Sequence, residues 1–503
     1  MIDLTVAQIA AIVGGELTDI SGADAARLHV TGTVEFDSRK VGSGGLFLAL
    51  PGARADGHDH AAAAVAAGAV AVLAARPVGV PAIVVAPDAQ VTASGAGVLE
   101  HDTDGSGAAV LAALAKLATA VAAELVAGGL TIIGVTGSSG KTSTKDLLAA
   151  VLAPLGEVIA PPGSFNNELG HPWTVLRATA KTGYLILELS ARHLGNIAAL
   201  AAIAPPAIGV VLNVGTAHLG EFGSREAIAK TKSELPQAVP RSGVVVLNAD
   251  DPAVAAMAEV TAARVVRVSR EHHADVWAGP VMLDELARPQ FALHAAERVV
   301  DVTLAVHGEH QVGNALCAAA VALECGGSLE HIASALAEAG PVSGHRMRVS
   351  TRADGVTVID DAYNANPDSM RAGLQALAWI SAGTGADRRR SWAVLGEMAE
   401  LGDDAISEHD RIGRLAVRLD VSRLVIVGTG RSMSAMHHGA VMEGARGSEG
   451  DPEAVVAADA DAALALLRAE LQPGDVVLVK ASNAAGLGAL ADALGADAQG
   501  DTR

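Results

Sequence analysis

The segment Gly134-Val-Thr-Gly-Ser-Ser-Gly-Lys-Thr142 combines glycines, a lysine and hydroxyl side chains in the spacing of a phosphate-binding loop. Glycines let the backbone turn its N–H groups toward phosphate oxygens, Lys141 adds a cation, and the hydroxyl of Thr142 suits a magnesium ion. Val135 stands where the general GxxxxGKT pattern has its first glycine, so the form present is TGxxGKT. The segment follows an apolar run and precedes a helical pattern, which favours this interpretation over a chance Gly/Ser turn. The residues expected to hold the nucleotide are Thr136, Gly137, Ser138, Ser139, Gly140, Lys141, Thr142 and Ser143.

The loop alone fits a GTPase, a kinase or a ligase, although its GKT ending excludes a protein kinase, whose Gly-rich loop lacks it. Glu188 adds information because it follows four apolar residues, where an ionised carboxylate is rarely buried without a partner. It is either a solvated surface group or, beside a phosphate loop, an oxygen ligand for magnesium. His218 follows Asn213, which ends another apolar run. A lone histidine in such a place is more often structural than functional. The position of His218 after a strand end is therefore only one of the two grounds for a functional role.

These residues need a scaffold that brings the ends of several strands together. After the loop, apolar runs that end in polar residues alternate with helical patterns, at Tyr184 to Leu189, Ile208 to Asn213 and Val244 to Asn248. This alternation is typical of a parallel sheet with helices on both faces, in which ligands lie at the carboxyl ends of the strands. We therefore expect an α/β fold with a central, doubly wound, mostly parallel sheet that carries the phosphate loop.

Two smaller α/β units flank this sheet in the sequence. Apolar runs and an Ala-rich helical pattern extend to about residue 90, and the stretch 92–107 is then rich in Gly, Ser and Asp without periodicity, which indicates a flexible connection. A second boundary falls near Gly340-Pro341, and four further apolar runs separated by helical patterns follow it. The expected domains are 1–107, 108–341 and 342–503.

Composition limits the partners and the compartment. The formal net charge of -20 disfavours nucleic acid or an anionic membrane as a partner, because both require a basic surface. Apolar runs of membrane-spanning length are all interrupted by a charge or a glycine, and the N-terminus lacks the order of a signal peptide. The two cysteines, Cys317 and Cys325, have no metal-like neighbours and indicate a reducing compartment. We expect a cytoplasmic protein without stable membrane insertion that acts on small molecules.

Seven further segments stand in a characteristic order around the phosphate loop. They are Phe36-Asp37-Ser38-Arg39, Asn166-Asn167-Glu168-Leu169-Gly170-His171-Pro172, Glu188-Leu189-Ser190, Asn213-Val-Gly-Thr-Ala-His218-Leu219, Ala229-Lys-Thr-Lys232, Gly308-Glu-His-Gln-Val-Gly-Asn314 and Asp360-Asp-Ala-Tyr-Asn-Ala-Asn-Pro367. With TGSSGKTS they resemble the Mur ligase family, which uses ATP to extend the peptide of a uridine-diphosphate-linked peptidoglycan precursor. The match covers nearly the whole chain, and the ordered set is far more specific than any one motif. Within the family, DDAYNANPDSM and Leu395-Gly-Glu-Met-Ala-Glu-Leu-Gly402 look like the members that add D-alanyl-D-alanine to UDP-N-acetylmuramoyl-tripeptide.

The resemblance implies a monomeric, ATP- and magnesium-dependent amide ligase whose Rossmann-like C-terminal domain closes over ATP and binds the dipeptide, while the N-terminal domain binds the uridine nucleotide. The implied catalytic residues are Lys141, Glu188, His218 and Lys232, and the implied metal ligands are Thr142, Glu188, His218 and Lys232. Beyond the loop, the implied ATP contacts are Asn314, Arg346 and Asp361. The implied contacts to the UDP-linked substrate are Ser38, Arg39, Asn166 and Asn167, and those to the dipeptide are Asn364 and Asn366.

Lys232 is the least obvious of these assignments, because lysines on such a helix are usually solvated. The matching family position carries a lysine whose amine is carbamylated by carbon dioxide. A cationic ammonium beside magnesium would be repelled, whereas a carbamate presents anionic oxygens to that hard cation. Carbamylation needs the neutral amine, which burial near positive charge favours.

Three alternatives remain open at this point. They are another Mur ligase, a folylpolyglutamate-synthase-like ligase with the same central site, and a non-catalytic protein that keeps the loop as a nucleotide-dependent switch. The uridine-type N-terminal segment argues against the second, and the combination of Glu188, His218 and Lys232 argues against the third. The sequence departs from the family pattern at Gln311, Pro236 and Asn483, the last in a KASN segment where a KGSR-like motif is usual.

Overall fold

In the computed structural model, the described residues are 1–52, 55–87, 99, 102–215, 219–383, 388–445 and 453–496. Three larger sheets dominate them, and each is formed by one continuous stretch of chain. Helices pack on these sheets, which confirms the expected α/β class with three domains. Of the predicted connection at 92–107, residues 92–98 and 100–101 lie outside the described residues, while Ser106 and Gly107 already belong to a helix.

The first stretch forms a five-stranded sheet of order β2-β7-β6-β5-β4 and a small β1–β3 pair. Its strands are β1 (Leu4–Thr5), β2 (Glu16–Thr18), β3 (His29–Val30), β4 (Val34–Glu35), β5 (Gly45–Leu48), β6 (Ala69–Ala74) and β7 (Ala82–Val84). Its helices are α1 (Val6–Val13), α2 (Gly22–Ala25) and α3 (Ala61–Ala66). The short strand β5 is buried along its whole length, as a strand covered on both faces must be.

The second stretch forms a ten-stranded sheet. Its strands are β8 (Thr131–Thr136), β9 (Glu157–Ile159), β10 (Thr182–Glu188), β11 (Ile208–Val211), β12 (Val244–Asn248), β13 (Arg264–Ser269), β14 (Val276–Ala278), β15 (Met282–Leu283), β16 (Pro289–Ala295) and β17 (Arg298–Thr303). Its helices are α4 (Ser106–Ala127), α5 (Lys141–Leu152), α6 (Gly170–Val175), α7 (Asn196–Ile203), α8 (Leu219–Phe222), α9 (Arg225–Lys232), α10 (Glu234–Ala238), α11 (Pro252–Ala255), α12 (Gln311–Glu324) and α13 (Leu329–Glu338).

The parallel core of this sheet places the site. Strand β8 lies between β10 and β11, all three are parallel, and the phosphate loop follows β8. Strands β15, β16 and β17 add an antiparallel extension that the sequence reasoning did not anticipate. Strand β16 alternates buried and half-buried residues, which is the pattern of a sheet with one face partly open to solvent. It therefore lacks the continuous burial of the central parallel strands.

The third stretch forms a six-stranded sheet of order β18-β19-β23-β20-β21-β22, parallel except for β18. Its strands are β18 (Arg348–Thr351), β19 (Thr357–Asp361), β20 (Ser391–Leu395), β21 (Arg423–Val427), β22 (Glu453–Ala457) and β23 (Val476–Lys480). Its helices are α14 (Pro367–Ala382), α15 (Ala405–Arg418), α16 (Arg431–Glu443), α17 (Ala460–Glu470) and α18 (Leu487–Ala496). Below, the parts of the chain that hold these three sheets are called the N-terminal, central and C-terminal parts.

Helix α4 is the one described helix that is long and apolar enough, by length and composition alone, to cross a membrane. Half of its most apolar window is buried inside the protein. The buried residues Val110, Leu114, Leu117 and Val121 recur at helical spacing and belong to the core, and the helix packs against α1, α6 and α7. Helices in the core of a globular protein can have the same length and apolar composition. The burial of α4 is explained by its packing in the core of the protein.

Candidate functional site

A cleft of about 890 Å³ lies between the central and C-terminal parts. The phosphate loop forms its floor, and the segments after β9 and β10 form one wall. The C-terminal part supplies the opposite wall. The lining residues that the sequence reasoning had also selected are Ser138, Ser139, Gly140, Lys141, Thr142, Ser143, Asn166, Asn167, Asn314, Arg346, Asp361, Asn364 and Asn366. Residues predicted on separate segments therefore share one cavity.

The phosphate loop requires glycine at position 140 for two reasons. Gly140 has a φ of 82°, and a Cβ there would lie 2.6 Å from Oδ1 of Asn314. The side chain of Asn314, in the first turn of α12, therefore packs against the phosphate loop. The loop is also tied to Asn213, whose Oδ1 accepts a hydrogen bond of 3.0 Å from the backbone N–H of Ser139.

Two of the predicted nucleotide residues have a supporting role in the observed geometry. Thr136 is fully buried, and its hydroxyl donates to the backbone oxygen of Leu189 at 2.9 Å. A Cβ at Gly137 would lie 2.9 Å from Cβ of Leu212, so this glycine allows β11 to approach the loop. Neither residue lines the cleft. Lys141 does, and its Nζ lies 2.6 Å from the backbone oxygen of Gly137.

Glu188 lies at the end of β10 as a completely buried carboxylate beside the phosphate loop. The hydroxyls of Thr142 and Ser164 each lie 3.3 Å from its Oε2. Its Oε1 is buried and has no hydrogen-bond partner among the described residues, which do not include 216–218. Burial raises the pKa of Glu188, and the charges of Lys141 and Lys145 partly offset this effect. An orphaned, buried carboxylate oxygen next to a threonine hydroxyl fits a hard cation such as magnesium.

Lys232 lies in the last turn of α9 and is only 7% exposed, whereas Lys230 on the same helix is exposed. Burial lowers the pKa of Lys232 well below its usual range, and the charge of Lys141 lowers it further. Both effects shift Lys232 toward its neutral amine. His218, the remaining predicted metal ligand, lies outside the described residues.

Arg346 reaches the phosphate loop from the C-terminal part. Its Nη2 lies 3.4 Å from Oγ1 of Thr142, and its guanidinium lies over the ring of Tyr363 at 4.2 Å. On one side of Arg346, the backbone N–H of Ser343 donates to Asp146 of α5. On its other side, the backbone N–H of Met347 donates to Asp361 at 3.1 Å. The arginine is therefore held between the two parts of the chain whose cleft it enters.

Asp361 and Lys480 form a buried ion pair at the mouth of the C-terminal part. Lys480 Nζ lies 2.5 Å from Oδ2 of Asp361 and 2.9 Å from the backbone oxygen of Asn364. The amide oxygen of Asn364 accepts from the N–H of Ala365, and that of Asn366 caps helix α14. The capping role gives Asn366 a structural function in addition to its place in the cleft.

The residues predicted for the uridine-linked substrate fall in two places. Asn166 and Asn167 line the cleft, and Asn166 is fixed by Ser190, whose hydroxyl donates to its Oδ1 at 3.1 Å. Ser38 and Arg39 belong to the N-terminal part and do not line the cleft. Arg39 is exposed and makes a two-pronged ion pair with Asp37, both contacts at 2.9 Å. Any uridine site at Arg39 is therefore separate from the phosphate loop.

Among the cleft residues that sequence reasoning did not select, Ser164 and Tyr363 contact selected residues directly. Ser164 bonds to Glu188, and Tyr363 supports Arg346. Tyr363 lies in the segment DDAYNANP, between the selected residues Asp361 and Asn364. An aromatic residue in that position could have been recognised as a support for a nearby cation. Ser164 lies two positions before Asn166. Its contact with Glu188, 24 positions later in the chain, could not be predicted from the residues around it.

The buried imidazole of His171 makes stability depend on pH. It is 1% exposed, and burial lowers its pKa to about 4, although backbone groups of Glu188 and Leu200 offset part of this effect. Well above pH 6.5 the ring is neutral in both the folded and the unfolded state. As the pH falls toward 4, only the unfolded chain takes up the proton, which costs on the order of 3 kcal/mol of folding free energy in total.

We therefore expect the urea midpoint of the wild type to fall more between pH 7.5 and pH 5.0 than that of His171→Leu. Leucine has no proton to take up, so the variant loses this contribution, while the other buried histidines contribute equally to both proteins. Equal shifts in the two proteins would contradict the assignment.

Comparisons with known proteins agree with this geometry. Family models described as Mur ligase family catalytic domain, Mur ligase middle domain and Mur ligase glutamate ligase domain match residues 31–118, 135–322 and 345–483. The UDP-N-acetylmuramoyl-tripeptide–D-alanyl-D-alanine ligase of Mycobacterium tuberculosis is 79% identical, over 99% of this chain and 98% of the relative. A crystal structure of MurF from Acinetobacter baumannii superposes with a TM-score of 0.79 at 29% identity, covering 98% of both chains. The Thermotoga maritima MurF ligase in complex with ADP superposes with a TM-score of 0.73 at 26% identity, covering 94% of this chain and 99% of that one. The chain belongs to the Mur ligase family.

Proposed function

We propose that this protein is an ATP-dependent, ADP-forming ligase that joins D-alanyl-D-alanine to UDP-N-acetylmuramoyl-tripeptide in peptidoglycan precursor synthesis. The observation that carries the proposal is the shared cleft, in which the phosphate loop, Asn166 and Asn364 face one cavity. A ligase must bring a nucleotide, a carboxylate and an amine together, and a cavity of about 890 Å³ is at the large end of ligand sites. The M. tuberculosis relative bears the name of this activity, which favours it over the other Mur ligases and over folylpolyglutamate synthesis.

The chemistry is carboxylate activation followed by amide formation. A terminal carboxylate oxygen of the tripeptide attacks the γ-phosphorus of ATP, the bond to the ADP oxygen breaks, and an acyl phosphate forms. The amine of the dipeptide then attacks the acyl carbon, phosphate leaves, and the amine loses a proton. No side-chain nucleophile is needed. The protein contributes by positioning the reactants and by neutralising charge.

The residues that line the cleft, together with buried residues near the phosphate loop, suit these tasks. Backbone N–H groups of the loop and the ammonium of Lys141 oppose the phosphate charge, and Arg346 can bind phosphate oxygens through its planar fork. Thr142 and Glu188, with its unpartnered Oε1, would hold magnesium, and Lys232 and His218 are proposed as further ligands. When bound, magnesium neutralises charge on the phosphates as a Lewis acid.

The proposal includes a cytoplasmic location. Both cysteines are free, and Cys317 is buried with its pKa raised to about 12, so that it is an inert thiol. A protein of this size with two unpaired thiols suits a reducing compartment.

The acceptor is the sharpest test of the proposed function. Phosphate release from ATP is expected only when UDP-N-acetylmuramoyl-tripeptide and D-alanyl-D-alanine are both present, because the acyl phosphate is consumed by the dipeptide amine. Lysine or diaminopimelate in place of the dipeptide should release little phosphate. Omission of the uridine-linked precursor is the control for uncoupled ATP hydrolysis. Efficient ligation of a single amino acid would show that the acceptor is wrong.

A further inference from the structure

Two glycines from different parts of the chain meet beside the cleft. Gly220 lies in helix α8 of the central part, and Gly402 follows strand β20 in the C-terminal part. A Cβ at Gly220 would lie 2.5 Å from the backbone nitrogen of Gly402 and 2.6 Å from its Cα. Cβ atoms in folded proteins essentially never lie within 3.0 Å of a non-bonded heavy atom, so even a methyl group at position 220 would force the two segments apart.

The segment 396–402 that carries Gly402 is firmly held within the C-terminal part. Met398 and Leu401 are 1% and 2% exposed. The backbone N–H of Met398 donates to Nε2 of His409 at 2.9 Å, and that of Ala399 donates to the hydroxyl of Ser482 at 2.9 Å. A clash at Gly402 could not be relieved by a small movement of this segment.

The opposite side is anchored as well. Helix α9 begins three residues after α8, and Arg225 at its start donates to the backbone oxygen of Val214 at 2.9 Å. Arg225 also pairs with Asp251 at 3.6 Å. Helix α8 therefore cannot withdraw without disturbing the start of the helix that carries Lys232.

An ion pair crosses the same junction. Arg192, on the segment after β10, extends its Nη2 to within 3.3 Å of Oε1 of Glu400, two residues before Gly402. Both side chains line the cleft. The junction thus joins the two walls of the cleft through a tight backbone contact and a charge pair at its rim.

We propose that the Gly220–Gly402 contact is a positioning contact that sets the closed arrangement of the cleft. The inference rests on the proposed function, since an acyl phosphate needs a cleft that excludes water and holds three reactants in line. Without side chains at these positions, the C-terminal part comes close enough for Arg346 to reach the phosphate loop. Any side chain at 220 would hold Arg346 away from the loop while leaving each part folded.

The test compares Gly220→Ala with the matched control Gly22→Ala. Gly22 also lies in a four-residue helix, and a Cβ there would meet nothing within 4 Å. Separation of the two parts would relieve the clash in Gly220→Ala without unfolding either part, and Gly22→Ala creates no clash, so neither variant should unfold at a lower temperature than the wild type. Displacement of a reacting group by about 1 Å can cost on the order of 100-fold in rate, so kcat of Gly220→Ala should fall by about that factor. Its KM for the uridine-linked substrate should stay within about twofold of the wild type, because that binding does not depend on the contact.

Small-angle X-ray scattering supplies a readout that does not depend on turnover. With the non-hydrolysable analogue adenylyl imidodiphosphate and magnesium, the wild type and Gly22→Ala should be more compact than Gly220→Ala. An unchanged kcat and radius of gyration in Gly220→Ala would overturn the proposal. A lowered unfolding temperature together with lowered kcat would also overturn it, because the contact would then be merely structural. If the wild type fails to ligate the dipeptide, the proposed function fails, and the scattering comparison still decides whether the contact governs closure.

Discussion

Replacement of Lys141 by alanine should lower turnover by at least two orders of magnitude, on the order of 3 kcal/mol of transition-state stabilisation. Lys141 is the cation of the phosphate loop, and its Nζ lies 2.6 Å from the backbone oxygen of Gly137 at the floor of the cleft. Alanine removes that charge but leaves the glycine conformation at position 140 and the contact between Ser139 and Asn213 intact. Phosphate release with all substrates at saturation measures the effect.

Binding of the uridine-linked precursor should persist in Lys141→Ala. The predicted uridine contacts Ser38 and Arg39 belong to the N-terminal part and do not line the cleft. Lys181→Ala is the matched control, because Lys181 is an exposed lysine of the central part outside the cleft. Calorimetric titration of the precursor, together with the thermal unfolding midpoint, separates a lost charge from a lost fold. Turnover of Lys141→Ala equal to that of Lys181→Ala would contradict the assignment.

The sequence was sufficient to predict those parts of the site that are formed by consecutive residues. The glycines around Lys141 and the strands on either side of them are consecutive in the chain, so the spacing of residue types reports the shape of the loop directly. The same holds for Glu188, since a carboxylate at the end of an apolar run can be placed at the edge of a parallel sheet. Lys141 lines the cleft, and Glu188 lies buried behind it in contact with the hydroxyl of Thr142.

The sequence was insufficient where function depends on contacts between distant segments. Ser343 and Asp146 are 197 positions apart, and nothing near either residue predicts their hydrogen bond. Gly220 and Gly402 are ordinary glycines in the sequence, and only the packing of two parts of the chain shows why a side chain is excluded. Sequence was also insufficient for one local contact. Arg39 pairs with Asp37, only two residues away, but this pairing depends on a side-chain conformation that residue spacing does not specify.

The antiparallel extension was missed for another physical reason. Strands β16 and β17 pair with each other, buried residues alternate with half-buried ones along β16, and most of β17 is exposed. A search for continuous apolar runs detects strands that are buried on both faces and passes over such a pair.

Replacement of Lys232 by alanine should leave almost no activity. Lys232 is buried, and both burial and the charge of Lys141 lower its pKa, so the neutral amine that reacts with carbon dioxide is favoured. A carbamate on this amine would present anionic oxygens to magnesium beside Glu188, whose Oε1 is unpartnered. Alanine removes that ligand and leaves a space close to the size of the lost side chain.

Short carboxylic acids such as acetate or propionate should partly restore the activity of Lys232→Ala, because a carboxylate can fill the vacated space with the same charge and oxygen ligands. The matched control is Lys230→Ala on the same helix, where the lysine is exposed and its loss should change turnover little. Wild-type turnover in buffer depleted of carbon dioxide should decline and recover when bicarbonate is added. Rates are measured as phosphate release at saturating substrates with and without added carboxylate. Full activity of Lys232→Ala in carbon-dioxide-depleted buffer would refute the assignment of Lys232, while phosphate release that still requires the dipeptide would leave the ligase proposal standing.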